Sequence, residues 1–110
     1  VLRRRCAEIG RDPGEILPMT GAYVLVHDGP DLAEAIERWG EALARTHRTD
    51  RARFGVPIAG GTDIVAERIA AYWRAGARGF ILGMGSPFDH ETLRRVATEV
   101  RPRLEALIRA

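Results

Sequence analysis

Along this chain the apolar positions alternate between a three-to-four-residue period and short unbroken runs, and each switch marks an element. Leu2, Cys6 and Ile9 share one face of a helix over 2–9. Gly10 follows where a left-handed cap is wanted, and Asp12-Pro13 enforces the turn. Residues 16–26, ILPMTGAYVLV, read as a strand whose best part is Tyr23 to Val26, because Pro18 and Gly21 weaken its first half. His27-Asp28-Gly29-Pro30 turns the chain. Asp31 then caps a helix, with Glu34 completing a capping-box-like pair. Leu32, Ile36, Trp39 and Leu43 form its apolar stripe, to about residue 46. Residues 47–55 are polar and basic, as expected of an exposed connection.

The stretch from Val56 to Gly85 is the most informative. It reads as a short strand (Val56 to Ala59), a double-glycine turn, and a helix N-capped by Thr62 with Val65, Ile69 and Tyr72 or Trp73 inward. Gly76 ends that helix, and GFILGM at 79–84 forms the next buried strand. Asp89 is a good N-cap for the last helix, along which Leu93, Val96, Ala97, Val100, Leu104, Leu107 and Ile108 keep helical spacing. Pro102 must kink or restart it. The order is helix, strand, helix, short strand, helix, strand, helix. Alternation of this kind implies parallel strands joined by helical crossovers. Two good strands and a weak one are marginal alone, and the chain opens at Val1 already inside a helical pattern. The expected fold is therefore α/β, the C-terminal fragment of a (β/α)8 TIM barrel. Residues 1–110 would form one incomplete domain of a longer protein whose first half is absent.

Composition narrows the function. A hydrophobic fraction of 45% with 29% charged residues is ordinary for a globular domain. The formal charge of +2 is too small to argue for nucleic acid. All 17 basic residues are Arg, scattered along helices, which a GC-rich coding sequence accounts for. Arg3, Arg4 and Arg5 read as the solvated side of a helix. The lone Cys6 can form no internal disulfide and lies on an apolar helix face, where an inert buried thiol is expected. No apolar run approaches the about 20 residues that span a bilayer, and no signal peptide is visible. Neither a nucleic acid nor a membrane is expected as partner, and the expected location is the cytoplasm.

In a barrel the chemistry sits at the carboxyl ends of the strands. That singles out His27 and Asp28, then Gly60, Gly61 and Thr62, then Gly83, Met84, Gly85 and Ser86. The paired glycines bring backbone close to a ligand, and the N–H groups of Asp63 and Ile64 leave a helix start where a phosphate could sit; the same residues also suit a tight turn with an ordinary cap. His27 has the chemistry for proton transfer but no visible partner. His47 and His90 have no metal-ligand spacing, so no metal is expected. No catalytic residue can be assigned from the sequence.

The segments CAEIGRDPGEI (6–16), GTDIVAERIAAYWRAGARGFILG (61–83) and SPFDHETLRRVATEVRPRL (86–104) together resemble the C-terminal third of the bacterial-luciferase-like flavin-dependent monooxygenases. Asp63 stands where that family commonly has Pro, and both suit a first helical turn. The resemblance implies a barrel that binds FMN or coenzyme F420, a deazaflavin, and oxidises or reduces a small organic substrate. Most of the flavin site would come from residues outside this chain, with Gly60 to Thr62 and Gly83 to Gly85 as its contribution. The fragment alone is expected to be inactive. Such proteins commonly associate, so a homodimer is compatible. Two alternatives remain open. One is the end of a phosphate-binding barrel, an aldolase, isomerase or other FMN barrel, with the glycine pairs after its last two strands. The other is a helix-rich dimerisation module using the stripe over 93–108.

Overall fold

The unbroken run Tyr23-Val24-Leu25-Val26 is apolar on both sides of its pleat, and the fold uses both. In the computed structural model, which describes residues 1–110, this run ends strand β1 (Met19–Val26), the middle strand of a three-stranded parallel sheet ordered β2-β1-β3. Strand β2 is Ile58–Gly60 and β3 is Gly79–Gly83. Val24, Leu25 and Val26 stand opposite Ile58, Ala59 and Gly60, while Met19 to Tyr23 pair with Gly79 to Gly83. Helices α1 (Leu2–Ile9), α2 (Leu32–His47), α3 (Thr62–Arg74), α4 (His90–Arg95) and α5 (Arg101–Arg109) surround it. The expected order of elements is thus observed, as is the α/β class with parallel strands.

The strand order differs from that of consecutive barrel staves, which would lie side by side as β1-β2-β3. The crossover through α2 leaves β1 on one side, and the crossover through α3 returns past β1 to the other. With crossovers of one hand, reversing direction puts the two helices on opposite faces. The core divides accordingly. Val24, Val26 and Ile58 pack with Val65, Ala66 and Ile69 of α3 and with Val100, joined by Leu104 and Leu107. Leu25 and Ala59, pointing the other way, pack under Ala35, Leu32, Ile36 and Trp39 of α2. A barrel wall would carry helices on one face only; this is a doubly wound sheet. Helix α2 covers only the end of its face, and Met19 and Ile81 farther along are 55% and 65% exposed. The chain is correspondingly flat, 48 × 37 × 19 Å, with a radius of gyration of 16.3 Å against about 13 Å for a compact chain of this length.

Several local expectations hold and others shift. Gly10 takes a left-handed φ of 71° and lets the Arg11 N–H reach Cys6 O at 2.8 Å, closing α1 over the buried Cys6. Strand β1 starts at Met19 rather than 16, because the Pro18 carbonyl turns to accept the N–H groups of Arg78 and Gly79. Asp31 does not cap α2 with its side chain; its carboxylate is taken by His27 and Arg38. The residue before α3 is Gly61, not Thr62, which is the first helical residue. Tyr72 is 45% exposed, and the small Ala66 and Ala70 take inward positions beside Val65 and Ile69. Residues 51–54 form a 3-10 turn that sets Phe54 edge-on to Tyr23 at 6.0 Å, so this connection is partly packed.

Pro102 does not break the last helix. A widened π turn over Val96–Val100 precedes it, and the Arg101 N–H bonds to Val96 O five residues back. The wider turn accommodates a residue that can neither donate nor tolerate the carbonyl four positions earlier. No helix is long and apolar enough to cross a membrane.

Candidate functional site

The carboxyl ends of β1 and β2 open into a cleft of about 570 Å³, lined by His27, Asp28, Gly29, Leu32, Gly60 to Ile64, Arg95 and Glu99. The cleft lies at the carboxyl ends of the strands but on the β1–β2 side, not at the β1/β3 point where the winding of the sheet reverses. Its floor is backbone. The His27 N–H reaches Gly60 O at 2.8 Å, carrying the β1–β2 pairing one step past the strands. Gly60 has φ 138°, a conformation that side chains avoid, and a Cβ there would stand 3.0 Å from Ile64 Cγ2. Gly61 faces Asp28, whose exposed carboxylate would have to swing aside to admit a Cβ. Gly60 therefore lets the chain turn sharply into α3, with Gly61 extended beneath Asp28. The first N–H of α3 bonded to backbone is that of Val65, to Gly61 O. The preceding N–H groups, at Thr62, Asp63 and Ile64, belong to the unpaired helix start.

Side chains from the far helix close the cleft. Arg95, only 13% exposed, donates through Nε to Glu99 Oε2 at 3.0 Å and through Nη2 to Thr62 Oγ1 at 3.0 Å. Its Nη1 bonds Asp28 Oδ2. Thr62 passes the chain on, its hydroxyl donating to Glu99 Oε1 at 3.0 Å. The Asp28 and Glu99 carboxylates hold the Arg95 guanidinium above its ordinary pKa, Asp28 contributing most. Glu99 is pulled below the usual carboxylate range by Arg95 first and Thr62 second. Asp63 turns away to Arg103 at 3.1 Å.

The Glu99 shift has a pH consequence. A carboxyl whose folded pKa is depressed contributes stability above its unfolded pKa, and that contribution is lost as pH falls through the folded value. Acid titration below about pH 4.5 is thus expected to loosen the tie between the start of α3 and the π turn. Glu99→Gln should flatten that part of the stability–pH curve measured by thermal melts; an unchanged slope would count against the Arg95–Glu99 link.

Thr92 anchors this helix to the sheet. It is fully buried, and its hydroxyl accepts the Val26 N–H at 3.0 Å while donating to Asp89 Oδ2 at 2.7 Å. Asp89 also accepts the Glu91 N–H, as expected of an N-cap. The anchoring sets Arg95 one turn farther on, over the cleft. At the other edge His27 Nε2 lies 2.7 Å from Asp31 Oδ1. Asp31 is held below the ordinary carboxylate range chiefly by His27, then by Arg38.

The six positions singled out from sequence do not come together: one set lines the cleft, and the other three scatter. Gly60, Gly61 and Thr62 line the cleft with His27 and Asp28. Gly83 lies instead in a shallow groove on the sheet face beside Tyr23 and Ile81. Met84 is in the apolar core, and Gly85 abuts the Leu43 side chain. Ser86 lines neither the cleft nor that groove. Arg95 and Glu99 carry no sequence signal of their own, since an i,i+4 Arg–Glu pair is common on exposed helix faces. Only the neighbouring Thr92, a β-branched polar residue on an otherwise apolar stripe, hinted that this helix face meets something polar. His47 lies tilted against Phe54, ring centroids 5.8 Å apart, and His90 opens α4; neither lines the cleft. No group of three or more His, Cys, Asp or Glu is arranged to hold a metal ion.

Compared with protein-family models, curated proteins and solved structures, the chain finds no match.

Proposed function

We propose that this chain holds the phosphate end of a flavin, FMN or a deazaflavin, within an oxidoreductase or monooxygenase acting on a small organic substrate. The observation that carries the reading is the Gly60-Gly61-Thr62 turn, which opens the start of α3 into a cleft with Arg95 alongside. Backbone N–H groups at a helix start and a largely covered guanidinium are both phosphate-binding groups. The likeness of segments 6–16, 61–83 and 86–104 to luciferase-like enzymes supplies the redox part.

The cleft fits one end of such a cofactor and not the other. Its apolar lining is Leu32 and Ile64, with no Phe, Tyr or Trp, so a flavin ring finds no bed in it. When bound, the flavin would supply the hydride chemistry, and this chain's own residues would anchor and orient its phosphate. The (β/α)8 version of the reading needs β2 beside β3 in the complete protein. The order β2-β1-β3 favours a doubly wound scaffold; sheets of order 2-1-3-4-5 take FMN at the β1/β3 switch point, so the cleft on the β1–β2 side draws no support from that analogy.

The polar lining favours a second reading, a phosphate-binding enzyme without flavin such as an aldolase or isomerase. The helix-rich dimerisation module has less support, because Val96, Val100, Leu104 and Leu107 of its stripe are spent in the chain's own core. The test is spectroscopic. The protein that contains this chain is expected to copurify with a flavin whose absorbance bleaches on reduction. A colourless protein that binds phosphorylated metabolites would favour the second reading. Chain 1–110 by itself is expected to bind FMN no more tightly than inorganic phosphate. Tight stoichiometric FMN binding would place the ring here too and overturn this division.

A further inference from the structure

Independently of the cleft, we propose that the open edge of β3 pairs with β3 of a second copy of this chain, antiparallel about a two-fold axis at Ile81. The strand lies at the border of the sheet with only β1 beside it. The Gly79 N–H turns inward to Pro18 O at 3.2 Å. Alternate residues of a strand direct their backbone groups to opposite sides, so Phe80 and Leu82 turn theirs outward. No backbone group outside the β1–β3 ladder meets them. Nor does the chain beyond β3 return over this edge. It crosses the top of the sheet, where Gly85 abuts Leu43 of α2 and Thr92 bonds Val26.

An unpaired strand edge offers its hydrogen bonds to another extended backbone, and edges left unused are guarded by charge, proline, a bulge or shortness. The opposite edge is guarded: β2 is three residues long, follows Pro57 and ends at Gly60 with φ 138°. Over Gly79 to Gly83 there is no charge, no proline and no bulge. The sequence Gly-Phe-Ile-Leu-Gly has the same character read in either direction. That property selects a second copy over an unrelated strand, since a two-fold contact presents one surface to itself.

With the axis at Ile81, Phe80 of each chain stands opposite Leu82 of the other, and each pair exchanges both its N–H···O=C bonds. Between them Ile81 meets Ile81, in the closer type of antiparallel pair with Cα atoms about 4.5 Å apart. Ile81 is 65% exposed in the single chain, so the pair removes apolar surface from water. Gly79 opposes Gly83, and neither brings a side chain to obstruct the approach. On the other face Phe80 and Leu82 already pack on the core, which pairing extends across the axis. A contact five residues long belongs among small interfaces, under about 1,200 Å², and gives a reversible dimer.

Sedimentation equilibrium of chain 1–110 is expected to show monomer–dimer exchange that shifts with concentration. Ile81→Lys and Ile81→Glu should each weaken the dimer at least about tenfold, because like charges then stand directly opposite, and an equimolar mixture of the two should restore it. Circular dichroism checks that both fold, as an exposed position permits. Leu93→Lys, at a comparably exposed apolar position on α4 (56%), should dimerise like wild type. In the wild type, amide hydrogen exchange should slow with concentration at Phe80 and Leu82 but not at Gly79, Ile81 or Gly83, which already face β1. A chain that stays monomeric overturns the proposal, as does a dimer that survives both Ile81 variants or a mixture that fails to re-form it. Loss of the dimer in Leu93→Lys alone moves the contact to the helix stripe and overturns it equally.

Discussion

Leu25→Ala is expected to destabilise the folded chain by about 3 kcal/mol, within the usual range for emptying a buried leucine site. Leu25 is 6% exposed and sits among Ala35, Ala59, Leu32, Ile36 and Trp39. Two of those neighbours are already alanines, so little side chain is available to fill the space. The test carries topological information. In a doubly wound sheet both faces of β1 are covered, so Leu25→Ala and Val24→Ala should each cost kilocalories in urea unfolding. In a wall with helices on one face only, Leu25 would look into open space in this chain, and its truncation would stay within about 0.5 kcal/mol of zero.

Thr92→Val should cost about 2 kcal/mol despite near-identical volume. The substitution strands the Val26 N–H at the end of β1 and removes the donor to Asp89. A buried donor left without a partner loses its solvation with no return. Thr92→Ser, which keeps the hydroxyl and drops a methyl, should lose less. If Val and Ser variants melt together, the hydroxyl bridge is not what ties α4 to β1. The same bridge positions Arg95, so the Val variant should also bind phosphate more weakly than its residual stability explains.

Much of the fold was legible because the two apolar periods are strong. The run Tyr23 to Val26, the stripe of α2 and the Gly76 and Gly10 stops all report local backbone chemistry. Strand order is not local. A β/α alternation is compatible with staves laid in sequence or with a sheet wound in two directions, and the choice lies in which way each crossover turns. Leu25 held the clue: a strand apolar on both pleat faces needs cover on both, which a barrel supplies from its interior and this chain supplies from α2. Pro102 likewise announced a disturbance, but not that a π turn five residues long would absorb it.

The site was half legible for the same reason. Gly60, Gly61, Thr62, His27 and Asp28 were found from loops following strands, a rule that holds for either topology. Gly83 to Gly85 followed a strand as well, yet β3 lies on the far side of β1 from β2, so their loop belongs elsewhere. Thr62 looked like a cap because Thr often is one; Gly61 took that place, and the Thr62 hydroxyl was drawn to Glu99 and Arg95 instead. Arg95 and Glu99 reach the cleft across more than thirty residues of chain, and no spacing in the sequence reports that approach.

The proposed anion site is the turn between β2 and α3 together with Arg95, at the end of a parallel sheet covered on both faces. Amide chemical shifts of isotope-labelled chain 1–110, followed during titration with inorganic phosphate, test it most directly. Saturable shifts confined to Gly61, Thr62, Asp63, Ile64 and the Arg95 side chain are expected. Shifts centred on Gly83 to Gly85, or none that saturate, would contradict it.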